Sequence, residues 1–450
     1  MEFEVLKRGH IKRNIIIGLV AVFIISAIIL NFSSAKYRVS DSVPIINSEI
    51  NYKVADLNMV SLYVKSGEGE YIEEDTIPSS GYTLNIEQSY CGLSNNGEIV
   101  KDDSISIVYE NGLVNVLGIS KKGTKCYLYF DIDTSITVQE LIASYTNKLT
   151  RSNFSTAVTD ITTGTIYYET TSAGTTYYFA GAPTDNWVSF AGFYWRIIRI
   201  NEDESIRIIY SGDEVSGPIT TGEGTQIGTS AFNYTYGDNT YEGYMMGLDN
   251  QCTSGSCSGS TRTSSYSQSV NNRYDSTIKT VLDNWYENNL LEYSSKISQD
   301  AGFCGDRTYT SGYAYGTSST EYSTKNRLKN EAPSLDCPDK NDLYTVSNSN
   351  GNGALIYPIG LISVDEVIYG GLVGGAEDNY LCTSQHYWTM SPYNFNGSRA
   401  FMTFVFRLGY PTNVNGYVYS TYGVRPVINL SPDVNISGSG TQTDPYVITE

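Results

Sequence analysis

The chain has 450 residues, 40% hydrophobic and 17% charged, with 39 tyrosines and a net charge of −19. That acidity excludes a nucleic-acid partner, because affinity for phosphates comes from Lys and Arg, and the aromatic content excludes a disordered chain. The length allows about two or three domains, and the wealth of Gly, Ser, Thr, Asn and Tyr favours strands joined by many turns.

Lys7, Arg8, Lys12 and Arg13 precede an uncharged apolar run, residues 15–30. As a helix that run spans about 24 Å, so residues 15–32 nearly cross a hydrocarbon layer of ~30 Å. Positive charge before the run holds that side in the cytoplasm. The expectation is a basic cytoplasmic segment (1–14), a single-pass transmembrane signal anchor in the plasma membrane (15–32), and extracellular domains after it. Ser33 and Ala35 leave signal-peptide cleavage as an alternative. A type IV pilin helix carries a Glu near the start of its apolar run, and none lies between Asn14 and Ser48.

All seven cysteines fall in the exported part, where an oxidising space favours disulfides. Local pairing would join Cys91 to Cys126, Cys252 to Cys257 and Cys304 to Cys337, leaving Cys382 over. Other connectivities stay open. "CTSGSC" lacks the second Cys or His pair that a zinc site needs, so no metal site is expected there.

Residues 33–52 read as a stalk. Residues 53–135 alternate short apolar–polar runs, with "ENG" as a hairpin turn, and predict an all-β sandwich, Ig-like or jelly-roll-like. In "TVQELIASYTNKLT" Thr137 and Glu140 form a capping-box pattern. Val138, Leu141, Ile142, Tyr145 and Leu149 share one helical face, which predicts a linker helix over 136–150. An α+β domain follows, 151–450. It opens on a hairpin, "TIYYETTSAGTTYYFAG", and on an antiparallel pair, "WVSFAGFYWRIIRI" and "SIRIIYS", turning at "NEDE". Polar, Tyr-rich insertions fill about 211–275 and 300–350. Between them, 276–297 predicts a helix capped by Asp275 or Ser276, burying Ile278, Val281, Leu282, Trp285 and Ile297. A second capping box, Ser363 and Glu366, opens a short helix that Gly370–Gly371 can end.

Four motifs, "VSFAGFYWRIIRINEDESIRIIYS", "LISVDEV", "YWTMSP" and "YGVRPVINL", occur in an order that resembles exported surface proteins of Gram-positive and related gut bacteria. The C-terminal region of those proteins is similar to the C-type-lectin-like fold, which also includes formylglycine-generating enzymes. The resemblance covers about 185–430. It implies that "FYWRIIRI" and "GVRPVINL" pair antiparallel. It places Trp195, Ile197, Trp388 and Val427 in the core beside Trp285, and Pro426 at an edge or bulge. Arg196 and Arg425 would be buried on backbone carbonyls. "GTKCYLYFD" resembles the strand that closes the N-terminal sandwich in the same proteins.

"HYWTMSP" holds His386 and Ser391, the one histidine of the exported part and a nearby serine. Strand positions five apart face opposite ways, and no "GxSxG" elbow is present. Formylglycine chemistry relies on paired cysteines late in the domain, where only Cys382 stands. No catalytic residues are therefore expected. The acidic turns "DIDTS" (131–135) and "NEDES" (201–205) are oxygen-rich enough for calcium but follow no EF-hand spacing. Asp365 and Glu366 point about 100° apart on a helix. Recognition is expected from the tyrosine-bearing loops, with Tyr313, Tyr315, Tyr393, Phe395 and Tyr410 as contacts. The expected role is a membrane-anchored adhesion or binding protein for a host glycan, a peptide or another surface protein. A cell-envelope hydrolase and a structural, pilus-like envelope component are the alternatives.

Overall fold

In the computed structural model the described residues are 60–449, apart from 68, 79–80, 96–97, 111–112, 122, 215–220, 249–263 and 316–318. The anchor, the stalk and the Cys252–Cys257 pair lie outside them. Among the described residues no helix is long and apolar enough to cross a membrane. The chain divides between Thr134 and Ser135 into two compact units.

The first unit is β. Strand Thr124–Ile132 is its spine: Val60–Lys65 runs parallel to one side of it and Tyr90–Asn95 antiparallel to the other. Tyr71–Glu74 and Glu98–Lys101 extend the sheet outward. Alternation sorts its two faces. Leu62, Leu128, Phe130 and Leu84 are buried, and the hairpin Ser106–Glu110/Leu113–Leu117 covers them with Val114, Ile107 and Val116, giving a sandwich-like core. The opposite face carries a tyrosine ladder: Tyr90 stacks on Tyr127 at 5.2 Å and Tyr63 on Tyr129 at 4.8 Å. Cys91 and Cys126 stand in register on neighbouring strands and are disulfide-bonded.

In the second unit the expected helix over 136–150 is cut short. Its capping box forms, with Thr137 and Glu140 bonded reciprocally, but the helix covers only Val138–Ser144. Burial explains the stop. Val138 and Leu141 reach the core and Tyr145 is anchored by its hydroxyl to the Asp185 carbonyl at 2.9 Å. Leu149 is 41% exposed, and Asn147–Leu149 pairs in parallel with Thr165–Thr171 instead. The helix is part of this unit's core rather than a linker.

Two sheets organise the rest. One runs Asn435–Ser437, Tyr446–Thr449, Trp187–Phe190, Phe193–Ile200, Gly174–Tyr178, Thr165–Thr171, Asn147–Leu149. The expected direct pairing of "FYWRIIRI" with "GVRPVINL" does not occur. Ile206–Gly212 lies between, antiparallel to both Phe193–Ile200 and Val427–Leu430. The tight turn at 201–205 explains this, because closing a short loop costs less entropy than a distant pairing. Pro426 precedes the Val427 strand and its carbonyl accepts the Tyr210 N–H at 2.9 Å. The other sheet is centred on Tyr387–Phe395, flanked by Ala400–Phe406 and, through Tyr387, by Thr421–Gly423; Tyr410–Thr412 forms one edge. Trp195 and Trp388, one per sheet, are both fully buried in one continuous core.

The helix expected over 276–297 spans Thr277–Asn289, capped by Ser276, and a 3-10 turn Leu291–Lys296 replaces its last turns. Ile278, Leu282 and Tyr286 are buried, while Trp285 is half-buried and packs edge-on against Trp195 at 6.1 Å. Cys304 and Cys337 are joined, and Cys382 is a free, buried thiol.

Candidate functional site

His386 and Ser391 have separate partners. The Arg407 backbone N–H donates to His386 Nδ1 at 3.2 Å, and the ring lies among Phe404, Phe406 and Tyr422. Burial, helped by Arg407, holds the imidazole below its usual range. Ser391 Oγ instead accepts the Val364 N–H at 3.0 Å, at the start of helix Val364–Tyr369. Trp388 Nε1 donates to the Ser230 carbonyl at 2.8 Å. Side chains along this strand therefore serve the packing of both faces.

Arg196 and Arg425 are fully buried on carbonyls. Arg196 donates to Pro183 O and Asn186 Oδ1, both at 2.6 Å, and its guanidinium lies 4.1 Å over Trp187. Arg425 donates twice to Tyr210 O, at 2.9 and 3.2 Å, and covers the Tyr387 ring. Burial pushes both guanidinium groups down.

A denser ionic network surrounds the second capping box. Glu366 accepts the Ser363 N–H at 2.8 Å, as the box requires. The same carboxylate meets Arg207 at 2.5 Å and Arg199 at 3.1 Å. Burial alone would raise its pKa, but Arg207 and Arg199 outweigh that and hold it low. Asp365 is gripped by Arg327 at 2.8 and 2.9 Å, and Arg327 also reaches Asp306 at 2.6 Å. These groups line a cavity of about 20 Å³. That is room for about one water, so the network braces the fold and leaves no space for a substrate.

The expected contact residues are scattered. Tyr313 is 44% exposed. Tyr315 is half-buried, with its hydroxyl donating to Tyr322 Oη at 3.1 Å and its ring edge-on to Tyr266 and Tyr309. Tyr393 is half-buried under Lys325. Phe395 is a correction: it pairs with Ala400 and Thr320 in the sheet and is 0% exposed, so it is core and touches no ligand. Of the five, Tyr410 lines an open groove.

That groove, of about 490 Å³, runs between the Tyr410–Thr412 edge, the end of helix Ser323–Asn330 and the loop after Tyr369. Leu328, Ile368, Val373, Leu408 and Pro411 supply apolar wall, and Glu331 and Glu377 stand on its rim. Its frame is tight. Gly409 has φ +79°, and a Cβ there would meet the Ala376 carbonyl oxygen at 2.5 Å. The Ala376 N–H donates to Gly409 O at 3.0 Å, pinning one wall to the other. Glu331 closes its helix in the left-handed region, φ 55°. Four segments remote in sequence build this groove, so no local pattern pointed to it.

A second, polar cleft of about 580 Å³ is lined by Asp203, Asp300 and Asp433 with serines between them. In the first acidic turn Asp131 is engaged by Lys65, Tyr71 and Asn85. In the other, Asp203 accepts from Ser205. Among the described residues no group of three or more His, Cys, Asp or Glu is arranged to hold a metal ion. No family description, curated protein or solved structure matches this chain.

Proposed function

We propose that this is an outward-facing binding or adhesion protein. In this reading residues 15–32 anchor it in the plasma membrane, and the unit from Ser135 onward is a lectin-like scaffold that presents a ligand groove. One observation carries the reading: a preformed groove with apolar walls and a charged rim, held on a rigid core. Sites of this size and lining suit small ligands or peptide segments. Disulfides Cys91–Cys126 and Cys304–Cys337 support an oxidising location. Tyr446–Thr449 returns to the sheet beside Trp187–Phe190, in parallel rather than in the antiparallel closure that a lectin-like loop implies, so the lectin-like part of the reading rests on the motif resemblance.

Cells displaying the intact protein test this directly. They should bind a glycan, peptide or surface-protein array, and Leu408→Ser with Tyr410→Ala should abolish that binding, with circular dichroism showing the sheets retained despite the lost Tyr410–Phe406 stacking. External protease should remove an epitope at residue 449 while sparing one at residue 2. Binding that survives both groove substitutions, or a protected C-terminus, overturns the proposal.

A further inference from the structure

We propose that Lys279 and Asp283 condense into a side-chain amide, a cross-link that the folded chain forms within itself. This goes beyond the binding reading and does not depend on the groove. Lys279 is 0% exposed, where a lysine is almost never found unless paired. Its Nζ stands 2.5 Å from Asp283 Oδ2 and 3.3 Å from Asp275 Oδ1, and among the described residues it has no other polar partner. The two carboxylates differ. Asp283 is 13% exposed, and its Oδ1 is buried with no hydrogen-bond partner. Asp275 is 36% exposed and opens the cluster to solvent. The backbone fixes all three groups. Lys279 and Asp283 are one turn apart on helix Thr277–Asn289, where four-residue spacing makes side chains neighbours. Asp275 precedes the Ser276 cap and pairs with Met245 in a short antiparallel bridge.

Kept charged, this pair carries the desolvation cost of a buried ammonium and carboxylate. An amide removes both charges from the core. Burial raises the pKa of the Asp283 carboxyl against the pull of Lys279, which favours the uncharged acid that condensation needs. With the amine so near one oxygen, the carboxyl carbon lies at about the 3–3.5 Å of a near-attack arrangement. The terminal torsion of an aspartate is broad, so the carboxyl can turn its face to the amine. The steps balance. Lys279 Nζ first passes one proton to Asp283, leaving an amine and a carboxylic acid. Nζ then attacks Cγ, while the Asp275 carboxylate takes a proton from the nitrogen and returns it to the departing hydroxyl. The Nζ–Cγ bond forms, one Cγ–O bond breaks, and a water leaves on the exposed side of Asp275.

The test is mass spectrometry of the full-length protein, reduced and alkylated, after digestion with trypsin. Trypsin cleaves after lysine and arginine, so an open Lys279 yields separate peptides 274–279 and 280–296. The cross-linked chain should yield 274–296 in one piece, lighter than its sequence by one water. Asp275→Asn should leave Lys279 open in freshly purified protein, because proton transfer of this kind is worth roughly 100-fold or more in rate. A wild-type digest dominated by 274–279 and 280–296 at their full sequence masses overturns the proposal. A water lost from 280–296 while Lys279 is still cleaved marks a succinimide at Asp283, and overturns it as well. A complete cross-link in Asp275→Asn overturns the role of Asp275 and leaves the bond itself standing.

Discussion

Glu366 does two jobs with one carboxylate. It closes a capping box with Ser363 and neutralises Arg207, which is buried between strands. Glu366→Gln should cost about 3–5 kcal/mol, because it strands buried guanidinium charge; urea unfolding at pH 7 measures this. Its depressed folded pKa gives the pH dependence. The stability it contributes is present above the unfolded carboxylate range, near 4.3, and is lost as pH falls through the folded value. The glutamine variant should lose that part of the acid sensitivity. Glu242 behaves oppositely. It is 0% exposed, with the Phe401 N–H on one oxygen at 2.9 Å, and burial, with Asp238 adding to it, raises its pKa well above the usual range. Its carboxyl is comfortable below the unfolded value and destabilises the fold as pH climbs toward the folded one. Glu242→Gln should therefore stabilise the protein at pH 8, on the order of 1 kcal/mol or more, with the gain shrinking to little at pH 4. A loss of stability at pH 8 would sink that account.

At the scale of elements, caps and bridges were the legible part. Both anticipated capping boxes, Thr137/Glu140 and Ser363/Glu366, stand where their spacing put them, because they are four-residue devices that need no tertiary partner. Two of the three anticipated disulfides are present, each closing a short separation, and the third falls outside the described residues. Helix lengths were less legible. The 138–144 helix stops where burial stops, and the 277–289 helix gives way to a 3-10 turn. Lys279 on that second helix was missed as a core residue, although Asp275 and Asp283 flank it at four-residue spacing and pair with it at 3.3 and 2.5 Å. Thr137→Ala should cost about 0.5–2 kcal/mol by removing one reciprocal cap. Replacing Cys304 and Cys337 by serine should cost about 2–4 kcal/mol and speed proteolysis of the 332–337 segment. Unchanged melting and cleavage would show that this bridge constrains nothing.

For the whole molecule, the division at Thr134–Ser135 predicts separable folding. Residues 135–450 expressed alone should melt in the same calorimetric transition that they show in the intact chain. A single merged transition that shifts on truncation would contradict this. The sequence by itself determined the β-rich class and the two anticipated capping boxes; it offered the pairing of Cys91 with Cys126 and Cys304 with Cys337 as one connectivity among several, and the core placement of Trp195 and Trp388 came from the resemblance. The class and the capping boxes follow from alternation, composition and short-range spacing, all local or compositional. Only the tertiary structure decided that Ile206–Gly212 separates the two motif strands, that Phe395 is core, and that Leu328, Glu331, Glu377, Leu408 and Tyr410 share one groove. Those outcomes depend on which distant segments meet, and side-chain pattern along a chain carries periodicity but not partner.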